Sequence, residues 1–227
     1  MGKIARLENL NKHFDGLRAV KEVDMTIERG SVTGLVGPNG AGKTTLFNLI
    51  SGFLPPSTGS IYFEGREITD WSVSRRVKAG ITRTFQGSRV FSGLSVRENV
   101  VTGTYSAKNR EASEEPVGDG IGSRIDWILK VTKLRKYEEF LARHLSYGYK
   151  RRLELAIAIA TNPKLLLLDE PFSGTNTFDL QELTGLIKLL SHKGLTVVLV
   201  EHDLGSVASL ADNLVHMDGG KVTIPNE

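Results

Sequence analysis

The chain has 227 residues, 40% of them hydrophobic and 24% charged, with a formal net charge of +3 and no cysteine. Length and composition suit one large domain with a filled core. Absent cysteines exclude disulfides and thiolate metal sites, and so small a net charge gives no reason to expect a nucleic-acid partner.

Residues 1–31 read as strands: Val23, Met25 and Ile27 alternate with polar neighbours, the period of a half-buried sheet, and Arg29-Gly30 supplies a closing turn. Residues 32–36 make a short apolar strand that runs into a Gly-rich loop and then a helix at about 43–50. Another strand is expected at 59–64, after the Pro55-Pro56 break, and a further one at 81–85. The polar stretch 104–123, with Pro116, Gly118, Gly120 and Gly122, reads as a surface insertion. Helical spacing begins at 147, where Leu153, Ala156, Ile157 and Ala160 fall at i, i+3, i+4 and i+7. Residues 165–169 and 195–201 read as buried strands, with a helix at 179–190 between them. This alternation predicts an α/β fold with a mostly parallel sheet flanked by helices. The longest apolar stretches, 165–168 and 197–200, fall far short of the ~20 residues that cross a bilayer. The N-terminus lacks a secretory pattern, so a role in transport is expected to require separate membrane subunits.

Residues Gly37, Pro38, Asn39, Gly40, Ala41, Gly42, Lys43, Thr44 and Thr45 satisfy the phosphate-loop pattern G-x-x-x-x-G-K-[ST]. A triphosphate is crowded with negative charge, and few side chains can approach it. Glycines let successive backbone N–H groups turn inward, and the start of the next helix adds partial positive charge. Lys43 is placed to reach the β- and γ-phosphates, and the Thr44 hydroxyl to ligate Mg²⁺. Thr45 offers its backbone N–H and a nearby hydroxyl. The expected ligand is ATP with Mg²⁺.

The 165–168 run ends in Asp169-Glu170. In a parallel sheet, ligands bind beyond the carboxyl ends of the strands, which brings both acids towards the phosphate loop. Asp169 suits Mg²⁺, directly or through water, and Glu170 suits a general base acting on water. Alone, such a pair is equally a solvated strand end.

Leu145, Ser146, Tyr147 and Gly148 precede the 147–161 helix, about twenty residues before the acidic pair. Alone they read as a helix cap. In order along the chain stand the phosphate loop, Arg83-Thr84-Phe85-Gln86, the 145–148 turn, the acidic strand, a turn at 173–176 and His202 after a strand. In this order and spacing the chain resembles the ATP-binding subunits of ABC transporters over nearly its whole length. The resemblance implies a single ATPase domain over 1–227. It would have an antiparallel β lobe from 1–31 and about 59–70, a helical subdomain at about 87–161, and a phosphate-loop core from the remainder.

It also implies roles. Ser146 and Gly148, within the 145–148 signature, cap ATP held by Lys43 of an opposite subunit. Gln86 meets Mg²⁺ or the attacking water, and His202 positions that water. Phe14 stacks on adenine, although a turn aromatic packing into the small sheet is the competing view. The expected partners are transmembrane permease subunits, a second ATPase subunit (identical or different) and, indirectly, a substrate-binding protein, with the chain peripheral at the cytoplasmic membrane face.

Two positions depart from the family pattern. Tyr149 replaces the usual Gln of the signature, and Ser173-Gly174-Thr175-Asn176 stands where Ser-Ala-Leu-Asp-like turns are common. Neither touches Lys43, Asp169 or Glu170, so hydrolysis is expected. The 47–60 run, the 83–86 segment, the Leu-Ser-Tyr-Gly variant and the Gly174-x-Asn176 turn resemble ATPases of branched-chain amino acid importers. The alternatives are an ABC ATPase acting on nucleic acid or ribosomes, or another P-loop nucleotide-binding protein.

Overall fold

The computed structural model describes residues 2–84, 90–107, 120–202 and 204–223. Strands β1 (Lys3–Phe14) and β2 (Leu17–Glu28) form an antiparallel hairpin across Asp15-Gly16, both of which take positive φ. With β4 (Thr58–Phe63) and β5 (Arg66–Glu67) they build a four-stranded antiparallel sheet ordered β2-β1-β4-β5.

A second sheet is ordered β10-β9-β3-β8-β7-β6. It comprises β3 (Val32–Val36), β6 (Ile81–Arg83), β7 (Leu165–Asp169), β8 (Thr196–Glu201), β9 (Asn213–Asp218) and β10 (Lys221–Thr223). All its pairings are parallel except β9 with β10. Strands β3, β7 and β8 are buried at every residue, because both faces of this sheet are covered.

The two-residue period of a strand divides the core. Leu165 and Leu167 join Leu35, Val198 and Val200 in a cluster with the antiparallel sheet and helix α1 (Lys43–Ser51). Leu166 and Leu168 join Val197 and Leu199 on the other face. That face carries α3 (Val96–Ala107), α4 (Gly120–Val131), α5 (Tyr147–Ala160), α6 (Thr177–His192) and α7 (Leu204–Ala208). Among the described residues, no helix is long and apolar enough to cross a membrane.

Helix α2 (Val73–Ala79), capped by Ser72, contributes one side chain that organises its surroundings. Arg76 is 1% exposed, and its guanidinium donates to the carbonyls of Leu49 (2.6 Å), Ile50 (2.8 Å), Ile68 (2.8 Å), Thr69 (2.8 Å) and Trp71 (3.1 Å). Leu49 and Ile50 lie in the last turn of α1, where helix carbonyls lack intrahelical partners. Arg76 thus anchors the rear of the helix that begins at the phosphate loop.

Several elements differ from the sequence-based expectation. The 104–123 stretch is helical at both described ends, since α3 continues to Ala107 and α4 begins at Gly120. Within α4, Ile125, Ile128 and Leu129 form a buried i, i+3, i+4 face. Residues 108–119 lie outside the described residues. Helix α2 and the β9–β10 hairpin have no counterpart in the expectation, although Val215 and Met217 alternate ahead of Gly219-Gly220, and α3 falls within the expected helical subdomain at about 87–161. The expected strand at 81–85 is ordered as β6 only over Ile81–Arg83, with Phe85 outside the described residues.

Candidate functional site

Residues 37–42 connect the buried end of β3 to the first residue of α1, Lys43. Gly37 and Gly42 are required by their surroundings. A Cβ on Gly37 would stand 2.0 Å from the Met217 carbonyl oxygen, and one on Gly42, at φ +107°, would stand 2.3 Å from that of Ala19. The loop is therefore pressed between β9 and the hairpin that ends in Phe14. Its backbone is left to line the helix N-terminus, an arrangement that attracts anions. Lys43 is 6% exposed, and its ammonium donates to the carbonyls of Gly37 (2.5 Å) and Pro38 (2.9 Å). Burial lowers its pKa, and Glu170, Glu201 and Asp169 act in the opposite direction. A phosphate anion beside it would offset that desolvation. Thr44 is exposed and Thr45 half-buried at the start of α1.

The neighbouring strand ends carry the acids. In the parallel register Val36 lies opposite Glu201, and Asp169 opposite Val200, so β3, β7 and β8 finish side by side. Asp169 is buried, and Arg83 donates to its Oδ2 at 2.7 Å. The Asp169 N–H donates to the Thr84 hydroxyl at 3.3 Å. Glu170 turns the chain out of β7 with φ +46°, and its N–H donates to the Val200 carbonyl at 3.0 Å. A positive φ at a non-glycine residue is strained and concentrates at functional positions.

Glu201 differs sharply. It is 2% exposed, its Oε1 accepts the Phe172 N–H at 3.0 Å, and burial pushes its carboxyl up from the ordinary value. His202 follows, exposed, with Nδ1 3.8 Å from Glu201 Oε2. Phe14 is 40% exposed at the hairpin tip with the Lys12 ammonium 5.2 Å from its ring centroid.

The 145–148 turn is built against a different segment. Leu145 is buried, and Ser146 is the N-cap of α5 but makes no side-chain capping hydrogen bond. The Tyr147 hydroxyl donates to the Ser173 carbonyl at 2.9 Å and accepts from Arg151 Nε at 3.1 Å. A Cβ on Gly148 would stand 2.2 Å from Asp179 Oδ2, so the Asp179 carboxylate occupies the space a side chain would fill. Asn176 caps α6 by accepting the Asp179 N–H at 2.9 Å. Tyr149, in place of the family Gln, turns into the core and packs on Tyr137 with ring centroids 4.5 Å apart.

Residues 20–173 match the family model described as ABC transporter. The chain belongs to the ABC transporter family. It is 34% identical to the high-affinity branched-chain amino acid transport ATP-binding protein BraF of Pseudomonas aeruginosa, over 96% of this chain and 89% of that one. It is also 34% identical to a probable sulfate/thiosulfate import ATP-binding protein, CysA of Chlorella vulgaris, over 95% and 88%. Among solved structures, the ADP conformation of the ATP-binding cassette MJ1267 superposes with a TM-score of 0.88 at 31% identity, covering 98% of this chain and 90% of that one.

As an ABC ATPase, the chain binds and hydrolyses ATP for a transporter. The fold gathers residues 37–45, Asp169, Glu170 and His202 at the carboxyl ends of three adjacent strands and places the 145–148 turn against 173–179. Gln86 lies outside the described residues. The loop suits a phosphate group, because the glycines at 37 and 42 let it lie against β9 and β2 while it leads into the start of α1 beside the Lys43 ammonium. A hydroxyl and a carboxylate, from Thr44 and Asp169, are hard oxygen donors of the kind Mg²⁺ takes together with phosphate oxygens. Arg83 was not singled out by sequence reasoning, since only strand order reveals that β6 ends beside β7 and Asp169.

Proposed function

We propose that this ABC ATPase drives a branched-chain amino acid importer, hydrolysing ATP in sites shared between two ATPase subunits. The observation that carries the site is the alignment of the phosphate loop with Asp169, Glu170 and His202 at neighbouring strand ends. In this reading Gly37, Asn39, Gly40, Ala41, Gly42 and Thr45 present backbone N–H groups to the phosphates, Pro38 shapes the loop, and Lys43 pairs with the β- and γ-phosphates. Thr44 and Asp169 hold Mg²⁺, joined by Gln86. When bound, the metal supplies Lewis-acid stabilisation of charge developing on the phosphates.

Glu170 takes a proton from the attacking water, and His202 orients that water beside the γ-phosphate. The outward turn at Glu170 supports that role, as does the capture of Glu201 by the Phe172 amide. Phe14 stacks on adenine. Leu145 seats the 145–148 turn in the core, so that Ser146 and Gly148 approach ATP held by the opposite subunit. The uncommitted Ser146 hydroxyl supports this, because it is not used on its own helix. The hydroxyl of Tyr147, bonded to Ser173, holds the turn in place.

The antiparallel sheet, the α3–α5 segment and the parallel-sheet core act as three lobes of one domain over 1–227. Loops near Gln86 pass motion to transmembrane permease subunits at the cytoplasmic membrane face, with a substrate-binding protein upstream. The physiological ATPase pair is mixed, and co-purification of this ATPase alone with its permeases would refute that.

The amino acid substrate is supported by the relationship to BraF; the equal identity to CysA favours sulfate as a second reading. Uptake by vesicles carrying the chain with its permeases, using labelled leucine and labelled sulfate, separates the two. The shared-site mechanism is tested by Glu170→Gln in light scattering. A mass that doubles with Mg-ATP would support a shared site that this chain can also form with itself. A monomer that demonstrably binds ATP would deny a stable homodimer and point first to a different ATPase partner, or else to a weak signature face.

A further inference from the structure

We propose that Arg83 is the resident counter-ion of Asp169, and that Mg²⁺ displaces it when nucleotide binds. The inference deepens the reading that Asp169 holds Mg²⁺ and rests on it. Both side chains are nearly enclosed, at 5% and 7% exposure, and meet at 2.7 Å. A buried carboxylate without a partner is costly, whereas a paired and hydrogen-bonded one is tolerated. Arg83 therefore offsets the burial of the Asp169 carboxylate and holds it in place before any metal arrives.

Arg83 is itself held from the nucleotide side. Its Nη1 donates to Asn48 Oδ1 at 2.6 Å and to Ser51 Oγ at 3.3 Å, both on α1. Its guanidinium carbon lies 5.6 Å from the Phe47 ring centroid and 5.9 Å from that of Phe53. One cation thus ties the helix that opens at Lys43 to the strand end that carries Asp169. The guanidinium keeps its Asn48 and Ser51 partners when the carboxylate turns to another cation.

A divalent cation on Asp169 would face this guanidinium across a poorly screened space, where like charges repel strongly. Arg83 should therefore weaken metal binding to the bare protein. The negative charge of bound phosphates outweighs it, so that the metal enters with nucleotide and leaves with it. Arg83 acts through Asp169 and is a positioning residue. A merely structural role predicts that its removal weakens metal binding, whereas a counter-ion role predicts the reverse.

The experiment uses the full chain with a fluorescent ADP analogue at fixed concentration and titrated Mg²⁺. Arg83→Met should lower the Mg²⁺ needed for half-maximal binding on the order of tenfold, the small end of what a neighbouring charge does to a carboxylate's proton affinity. Its melting temperature in EDTA without nucleotide should fall. Arg83→Gln retains hydrogen bonding without charge and should show the same metal shift if the methionine variant fails to fold. Arg83→Lys should stay near wild type. Mn²⁺ without nucleotide, followed by electron paramagnetic resonance, should bind the glutamine variant more tightly than wild type. An unchanged or raised Mg²⁺ requirement in a folded, ADP-binding neutral variant overturns the counter-ion role. If Asp169→Asn instead leaves the wild-type Mg²⁺ dependence intact, the assignment of Asp169 to the metal fails, and the inference falls with it.

Discussion

Glu170 and Glu201 lie at the carboxyl ends of adjacent strands and face different surroundings. Glu201 is enclosed, and its oxygen is spent on the Phe172 amide. Glu170 is half-buried where the chain leaves β7. Because burial raises the Glu201 carboxyl, its contribution to stability is fully present below the ordinary carboxylate value and is lost as pH rises through the raised folded value. Glu201→Gln keeps an acceptor for Phe172 and removes the buried charge. Its melting temperature should match or exceed wild type at pH 8, with a flatter pH dependence above pH 4.5, while hydrolysis persists. Glu170→Gln should abolish turnover, as read by phosphate release. Loss of turnover in the Glu201 variant with an intact Glu170 would reverse the assignment. The sequence places both acids at strand ends, and only the structure separates their surroundings: the Glu201 carboxylate is enclosed and accepts the Phe172 N–H.

At the scale of elements, α1 owes its position to contacts from outside itself. Its first residue is Lys43, Arg83 grips its Asn48 and Ser51, and Arg76 holds two of its last carbonyls. Burial drives the Arg76 pKa down to about 10, so the guanidinium stays charged at neutral pH. Arg76→Met would leave five carbonyls without this donor, and a loss of at least about 3 kcal/mol follows from the cost of unsatisfied buried acceptors. For a chain of this size that is a fall in melting temperature of roughly 10 °C, measurable by calorimetry. A shift under roughly 2 °C would mean water takes over these carbonyls. The phosphate-loop strand and helix were legible because apolar runs and Gly-Lys-Thr punctuation are local signals. Helix α3 had only the family resemblance behind it and no local signal, because it meets α5 through small residues: Gly103 lies so close that a Cβ there would stand 2.4 Å from the Ile157 carbonyl oxygen and 2.8 Å from the Ala160 Cβ. Such a contact leaves little apolar periodicity to read.

Across the whole molecule, the antiparallel sheet is tied to the parallel-sheet core by burial and by one exposed charge cluster. Glu64, in the β4–β5 turn, pairs with Lys164 before β7 at 2.6 Å and with Arg29 after β2 at 2.9 Å. Burial acts to raise the Glu64 carboxyl, but the hydrogen bonds and charges of Lys164 and Arg29 prevail and hold it below its ordinary value. This stabilisation is present above pH 4.5 and is lost as pH falls through the lowered folded value. Glu64→Gln should therefore be slightly less stable than wild type at pH 7, and the two should converge in acid. Because both cations are about half exposed, the difference should stay under about 1 kcal/mol, or roughly 3 °C. A difference that persists below the carboxylate range would show that packing, not charge, is responsible.

By itself the sequence determined the family, the alternation of strands and helices, and the places of the glycine-rich loop at 37–45 and the acidic pair at 169–170. Those signals are carried by residues adjacent in the chain, and a phosphate cradle or a buried strand needs nothing distant to be recognised. Tertiary structure decided which strand ends lie together, that Arg83 reaches Asp169, that Glu201 serves the Phe172 amide, and that Tyr147 and Asp179 join the signature turn to 173–179. Each of these pairs residues far apart in sequence, and which of them meet depends on strand order and helix packing, properties of the folded core as a whole.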